Sequence, residues 1–200
     1  TRKNLMKWCI SSSADCSFCL SQETLLHVVA GCSSYLTQGR FTWRHDSILN
    51  FLATSLQVLK DTVIYADLPD FKSPSIITGD SHRPDLLISN NNCLYVLELS
   101  VGFESNLKNN IIRKKEKYKE LNNTLRNKFK KVEFINLSIS ALGVFAKESF
   151  AFQSMLSNLG FEDTVQKYII RRIINITIRS TYYIFCCRNK PWSTPELIKY

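Results

Sequence analysis

The stretch from Arg83 to Ser100, RPDLLISNNNCLYVLELS, constrains the fold of this chain more than any other segment. Two runs of apolar and β-branched residues flank Asn91 and Asn92. Asparagine tolerates the positive φ that both central positions of a type I′ turn require. The pattern therefore predicts a tight antiparallel hairpin, and with this pair at the turn Asp85 lies directly opposite Glu98.

Two facing acids inside an apolar hairpin need an explanation. Their Cβ atoms would be roughly 4.5 to 5.5 Å apart on one face of the sheet, and like charges so placed repel. A shared proton would offset the repulsion, and so would a divalent cation bound by Asp85 and Glu98. Carboxylate oxygens suit Mg²⁺ or Mn²⁺. The alternative is a shifted register in which one acid is solvated.

The helix predicted over residues 104–126 carries a lysine within its apolar stripe. Lys114 occupies the position that completes the helical spacing of Leu107, Ile111, Tyr118, Leu121 and Leu125. A buried ammonium needs a counter-ion, so we expect Lys114 to face Asp85 and Glu98. The alternative is a long side chain that reaches solvent from the helix edge.

Four metal-ligating residues cluster near the beginning of the chain. Cys16, Cys19, His27 and Cys32 have the spacing C-x2-C-x7-H-x4-C. Three thiolates and one imidazole complete a closed tetrahedral Zn²⁺ site, which would be structural because no position remains for a substrate water. The odd total of seven cysteines favours metal binding in a reducing compartment over a disulfide framework. The alternatives are scattered cysteines beside a core histidine, or Cys9 as a ligand.

A change of composition near Gly39 divides the chain. Residues 1–40 are rich in Cys, Ser, Thr and Gly and would form a zinc-dependent module. Long apolar periodicities begin afterwards and predict one larger domain over residues 41–200. Its expected order is a helix capped by Asp46 or Ser47, the strand TVIYADL, the hairpin, the helix with Lys114, the strand KVEFINLSIS, and helices over residues 147–159 and 162–188. The β-branched residues of the last segment permit a strand as the alternative, but the charges at its two ends favour a helix. Strands and helices in this order indicate the α/β class.

The charge balance favours a polyanionic partner. The chain has 26 Lys and Arg against 17 Asp and Glu, a net charge of +9. Lys115 and Lys117 lie off the apolar stripe and are candidates for phosphate contacts. Arg44 and His45 would contact a phosphate at a helix start, with an ordinary helix cap as the alternative. No uninterrupted apolar run reaches the about 18 residues that indicate a membrane span.

These motifs resemble the PD-(D/E)xK restriction-like nucleases, in the version carried by early-branching, site-specific non-LTR retrotransposons. The matching residues are RPD, the acid Glu98 and the segment RKKEKY. Most of that superfamily has its lysine two residues after the second acid, where this chain has Ser100. The retrotransposon version has it on the following helix, one turn before a tyrosine, as Lys114 and Tyr118 are.

The upstream motifs resemble the same elements, which carry a Cys-Cys-His-Cys knuckle just before the endonuclease. The triplet RHD resembles their Arg-His-Asn motif, with Asp46 in place of asparagine. Because the chain begins at Thr1 without a methionine, we expect it to be a piece of a longer protein, with the family's reverse transcriptase domain upstream.

The resemblance implies a restriction-endonuclease-like core, a mixed sheet flanked by helices, preceded by a zinc knuckle. Asp85 and Glu98 would hold Mg²⁺ or Mn²⁺, Lys114 and Tyr118 would be catalytic, and Arg83 would lie on the DNA. The expected function is a nuclear DNA endonuclease that nicks its target to prime reverse transcription, with element RNA as a further partner. The alternative is a catalytically inactive nucleic-acid-binding module derived from such a nuclease.

Overall fold

The computed structural model of the chain describes residues 1–80 and 82–198. A π-helical turn spans His27–Gly31, and 3-10 turns span Glu104–Asn106 and Lys147–Ser149. The helices and strands, in chain order, are α1 (Arg2–Lys7), α2 (Ser33–Thr37), α3 (Arg40–Leu56), β1 (Thr62–Ala66), α4 (Ser75–Thr78), β2 (Leu86–Asn90), β3 (Cys93–Gly102), α5 (Leu107–Lys117), α6 (Lys119–Leu125), β4 (Lys131–Ser140), α7 (Phe150–Asn158) and α8 (Asp163–Cys186).

The four strands form one mixed sheet in the order β1-β2-β3-β4. The pairs β1–β2 and β2–β3 are antiparallel, whereas β4 runs parallel to β3. A parallel pair needs a crossover connection, and here α5 and α6 supply it. The α/β class and the mixed sheet flanked by helices are therefore confirmed.

The hairpin forms in the predicted register. Asn91 and Asn92 both have positive φ, 45° and 62°, as a type I′ turn requires. Leu86, at the end of β2 farthest from the turn, pairs with Leu97. The register therefore places Asp85, the residue before β2, opposite Glu98.

Each face of the sheet carries its own helical layer. Alternate residues of a strand point to opposite faces, so Leu97 and Leu99 pack in the core formed with α3, α7 and α8. Leu94 and Val96 point the other way and pack against α6 and Tyr118. Both faces of the central strand β3 are buried, which explains its nearly continuous apolar sequence.

The face that carries Leu94 and Val96 changes character along its length. Both parallel strands switch from apolar to polar side chains at the same level, so that two polar rows lie side by side. These polar residues are Glu98 and Ser100 of β3 with Asn136 and Ser138 of β4, and all four are buried. The buried polar half of this face positions the candidate site.

The first long helix begins earlier than predicted. α3 starts at Arg40, directly after Gly39, which has a φ of 76° and accepts a hydrogen bond from the Trp43 amide. Trp43 is buried and adds an apolar turn before the predicted cap. The prediction of Asp46 or Ser47 as the cap is therefore wrong.

Two other helices differ in detail from the prediction. The one expected over residues 104–126 is a 3-10 turn followed by α5 and α6, which are separated at Tyr118. The segment expected over residues 147–159 is a 3-10 turn and α7, and Gly160 follows it with a φ of 87°. The long helix predicted at the end of the chain is confirmed as α8.

Side chains of α3 join the first 40 residues to the rest of the chain. Arg40 is fully buried and donates to the carbonyls of Cys187 and Lys190, both at 2.8 Å. Its guanidinium also lies over the ring of Tyr35, 4.1 Å from the centroid. The compositional boundary near Gly39 therefore coincides with a packed interface.

Candidate functional site

The cysteine–histidine cluster, Cys16, Cys19, His27 and Cys32, is assembled from short-range structure. The turn after Cys16 brings Cys19 back beside it, helped by a positive φ at Leu20. The π-helical turn begins at His27 and ends just before Cys32. All four ligand atoms lie within 4.8 Å of one another, so the cluster could hold a metal such as zinc.

The distances within the cysteine–histidine cluster fit a tetrahedral ion. The Sγ atoms are 3.9 Å apart for Cys16 and Cys32, and 3.7 Å apart for Cys19 and Cys32. Zn–S bonds of about 2.3 Å imply tetrahedral S···S separations of about 3.8 Å. Cys19 Sγ also lies 3.3 Å from His27 Nε2. Cys9, the other candidate ligand, is exposed and lies outside the cluster.

The protonation of the cysteine–histidine cluster also favours a cation. Burial raises the pKa of the Cys32 thiol to about 12 in the metal-free chain, so its thiolate forms only when positive charge is supplied. Burial lowers the pKa of His27, which favours the neutral imidazole that binds metals. This donor set is chemically suited to Zn²⁺.

The second site, the acid cluster, consists of Asp85, Glu98, Lys114, His45 and Asp46. Lys114 Nζ lies 2.7 Å from Glu98 Oε2 and donates a hydrogen bond to it. The prediction that this lysine faces the acids is confirmed. The Glu98 side chain is fully buried, whereas the Lys114 side chain is 22% exposed. The lysine therefore reaches the buried acid from the edge of the site.

Only one carboxylate oxygen of Glu98, Oε2, is paired with Lys114. Among the described residues, no donor reaches its buried Oε1 atom. Burial, together with the charge of Asp85 and a hydrogen bond shared with it, raises the pKa of Glu98 to about 7. A proton or a cation between the two acids would relieve both effects, and carboxylate oxygens are the donors that a hard divalent ion prefers.

Asp85 is held from two sides. Its Oδ2 accepts a hydrogen bond from the Leu99 amide at 2.8 Å and lies 3.3 Å from His45 Nε2. Burial would raise the pKa of Asp85, but the hydrogen bond and charge of His45 outweigh it and hold that pKa well below its usual range. Asp85 is therefore the permanent anion of the pair.

His45 and Asp46 were not predicted to belong with the acids. His45 Nδ1 lies 3.0 Å from Asp46 Oδ1. Despite burial, hydrogen bonds to Asp46 and Asp85 raise the pKa of His45 to about 10, so the ring is an imidazolium that donates to both carboxylates. The sequence signal was the RHD triplet, but its position depends on how α3 packs against the sheet.

Arg44 does not have the predicted role. It is 1% exposed, and its Nη1 donates to the Val29 carbonyl at 2.8 Å and to Thr181 Oγ1 at 3.1 Å. The residue lies within α3 rather than at its start, because the helix begins at Arg40. Arg44 therefore joins the first 40 residues to α8 and is not placed to contact a phosphate.

Tyr118 packs beside Val96 on the face of the sheet that carries Glu98, and it is fully buried. Its hydroxyl donates to the Arg83 carbonyl at 2.9 Å and accepts from Lys117 Nζ at the same distance. The Arg83 guanidinium forms an ion pair with Asp67. Tyr118 thus fixes the loop before Asp85. Lys117 is an exposed residue, but its ammonium group is bound to the tyrosine hydroxyl.

An open cleft of about 280 Å³ adjoins the acid cluster. Its walls include His45 and Lys114, the two cationic side chains that pair with the acids. Arg113 and Asn110 add further polar groups from α5, and Phe41 adds an aromatic ring from α3. Lys115 is exposed on α5 and is not among the residues that line the cleft.

Comparison with known proteins gives no family. No protein-family model matches the chain, and no curated protein matches it. Over residues 1–80 and 82–198, the structure contains no helix with both the length and the apolar character needed to cross a membrane.

Proposed function

We propose that the chain is a metal-dependent DNA endonuclease that nicks its target to prime reverse transcription. The observation that carries the proposal is the convergence of Asp85, Glu98 and Lys114, with Lys114 Nζ 2.7 Å from Glu98 Oε2. Two acids and one lysine are the parts that the restriction-like family uses. The mixed sheet flanked by helices supports the restriction-like core.

Four residues of the acid cluster have separate parts in this proposal. Asp85 and Glu98 would hold Mg²⁺ or Mn²⁺, which when bound polarises a phosphoryl oxygen and lowers the pKa of a water. Lys114 presents an ammonium beside the same acids and would stabilise the charge that develops on the phosphate. His45 keeps Asp85 ionised and oriented through its hydrogen bond.

The adjoining cleft would give the DNA a route to His45 and Lys114, which line it beside the acids. Arg113 is exposed and lines it, so its guanidinium can meet a backbone phosphate. Lys115 and Lys117 lie on the same helix and would add non-specific attraction to the polyanion, as the net charge of +9 favours. Zinc in the cysteine–histidine cluster would hold the first 40 residues in shape against α3 and α8.

A second candidate function follows from the burial of Glu98. Its side chain has no exposed surface, and Lys114 and His45 already neutralise much of the acid cluster. Such a network would suit a nuclease fold that has lost its activity and kept its basic surface to hold DNA or RNA. In that case the acids serve only the stability of the fold.

Plasmid nicking separates these two functions. Supercoiled plasmid is incubated with the protein in Mg²⁺ or Mn²⁺, and the open circular product is measured at saturating protein. The proposal expects metal-dependent nicking that Asp85→Asn abolishes. Asp61→Asn is the matched control, because Asp61 is exposed in the turn before β1. Equal products from the wild type and Asp85→Asn would favour the binding module.

A further inference from the structure

Glu98 has an unexpected neighbour on β4. The parallel register pairs Glu98 with Asn136. Paired residues of adjacent strands lie about 4.8 Å apart and point to the same face of the sheet. Asn136 is 7% exposed, so its amide is buried beside the acid pair.

Glu98 and Asn136 each carry one buried polar atom without a hydrogen-bond partner among the described residues. In the part of the chain that the structure describes, Glu98 Oε1 and Asn136 Nδ2 are both buried and have no hydrogen-bond partner. One is an acceptor and the other a donor on neighbouring positions, yet no hydrogen bond joins them. Buried polar groups are nearly always satisfied, so a group that both atoms can bind is expected between them.

A hydrogen bond from Ser138 sets the orientation of the Asn136 amide. Its Oδ1 accepts a hydrogen bond from Ser138 Oγ at 2.6 Å. The backbone of Ser138 is in turn held by Ser149, whose Oγ accepts from the Ser138 amide and donates to the Ser138 carbonyl. The hydrogen bond from Ser138 uses the oxygen of the amide, and no described residue accepts from its NH₂ group beside Glu98.

We propose that Asn136 is a positioning residue whose Nδ2 donates to a water coordinated to the divalent cation held by Asp85 and Glu98. The inference rests on the proposed function, since it assumes that the acids bind a cation. Mg²⁺ keeps several of its waters when it binds to proteins, and such a water can accept the amide hydrogen. The side chain would orient that water without contacting the cation itself.

A metal-binding measurement tests the role of Asn136 without relying on activity. Mn²⁺ is titrated by calorimetry into the zinc-loaded protein at pH 8, for the wild type, Asn136→Leu and Asn136→Ala. Loss of an outer-shell partner typically weakens metal binding by about tenfold or more, and we expect that loss in both variants. Thermal melting shows whether each variant is folded, and the smaller alanine covers the case in which leucine does not fit.

The matched control is Asn122→Leu, because Asn122 on α6 also has a buried oxygen that no described residue reaches with a hydrogen bond. It should bind Mn²⁺ as the wild type does. The effect of Asn136→Leu should also disappear in an Asp85→Asn background, which removes the cation site itself.

The outcomes separate the inference from the proposed function. If Asp85→Asn abolishes Mn²⁺ binding but both Asn136 variants match the wild type, an ordinary buried water bridges Glu98 and Asn136 and this inference is wrong. If the wild type binds Mn²⁺ no better than Asp85→Asn does, the cation site fails, and the proposed function fails with it. The inference is supported only if both Asn136 variants bind Mn²⁺ more weakly than the wild type while Asn122→Leu does not.

Discussion

The cysteine–histidine cluster and the acid cluster balance their charge in opposite ways. The first brings together three thiols and an imidazole, with no cationic side chain among its ligands. The second surrounds Asp85 and Glu98 with the side chains of Lys114 and His45. The first cluster therefore has no cation of its own to stabilise a buried thiolate such as that of Cys32, whereas the second carries its own cations and, on the proposed function, would bind metal afterwards.

The two clusters also differ in how their residues are gathered. All ligands of the cysteine–histidine cluster come from one continuous segment, residues 16–32. The acid cluster draws on α3, the residue before β2, β3 and α5. Loss of metal should accordingly unfold the first region and leave the second folded, and four predictions test this contrast from the largest expected effect to the smallest.

Zinc removal should have the largest effect. We expect about one zinc per chain, as a four-ligand site implies, and Cys16→Ser should unfold most of residues 1–40. Zinc binding contributes on the order of 10 kcal/mol to the folding of small zinc modules. Elemental analysis gives the zinc content, and hydrogen exchange maps the unfolded segment.

Hydrogen exchange should also show where the effect of zinc removal stops. The sheet should keep its protection, while the first turns of α3 loosen because Arg40 and Arg44 lose their packing. Cys9→Ser is the control, since Cys9 is exposed and lies outside the cysteine–histidine cluster. Zinc-free reduced protein with full protection over residues 1–40 would overturn the contrast between the clusters.

Removal of Lys114 should have the next largest effect. Lys114→Ala should lower the single-turnover nicking rate by about a hundredfold or more, the scale of losing one preorganised electrostatic group. DNA affinity should change little. Lys115→Ala is the matched control on the same helix and should weaken binding modestly without changing the rate. A lower rate from Lys115→Ala but not from Lys114→Ala would contradict this assignment.

Acid should weaken Mg²⁺ binding at the acid cluster. Burial and Asp85 raise the pKa of Glu98 to about 7 in the metal-free protein, so Glu98 is mostly ionised at pH 8 and mostly protonated at pH 6. Protons compete with the cation, and we expect about tenfold weaker binding at the lower pH. Calorimetric titration at both pH values measures it. Equal affinity would contradict the combination of a raised pKa and a ligand role for Glu98.

The smallest effect is expected at the tyrosine. Tyr118→Phe removes the hydrogen bond to the Arg83 carbonyl, which should lower the free energy of unfolding by about 1 kcal/mol. Nicking should fall far less than it does in Lys114→Ala, because the hydroxyl holds a backbone group in place. Urea denaturation and single-turnover assays provide the two measurements. A loss of rate as large as that of Lys114→Ala would make Tyr118 catalytic, as the family resemblance implies.

Local features of the sequence determined much of this protein. The Asn91–Asn92 turn sets the hairpin register because a two-residue turn leaves only one pairing, and that register places Asp85 opposite Glu98. Helical periodicity identified Lys114 because neighbours one turn apart share a face of the helix. The ligand spacing of Cys16 to Cys32 was informative because the whole cluster lies within one short segment.

Only the tertiary structure decided the remaining contacts, because they join residues far apart in sequence. His45 reaches Asp85 through the packing of α3 on the sheet, while its neighbour Arg44 turns inward toward α8. Asn136 lies beside Glu98 through the parallel pairing of two strands that a helical crossover separates. Both strands show the same switch from apolar to polar residues, but the pattern within one strand does not specify which strand pairs with it or at what level.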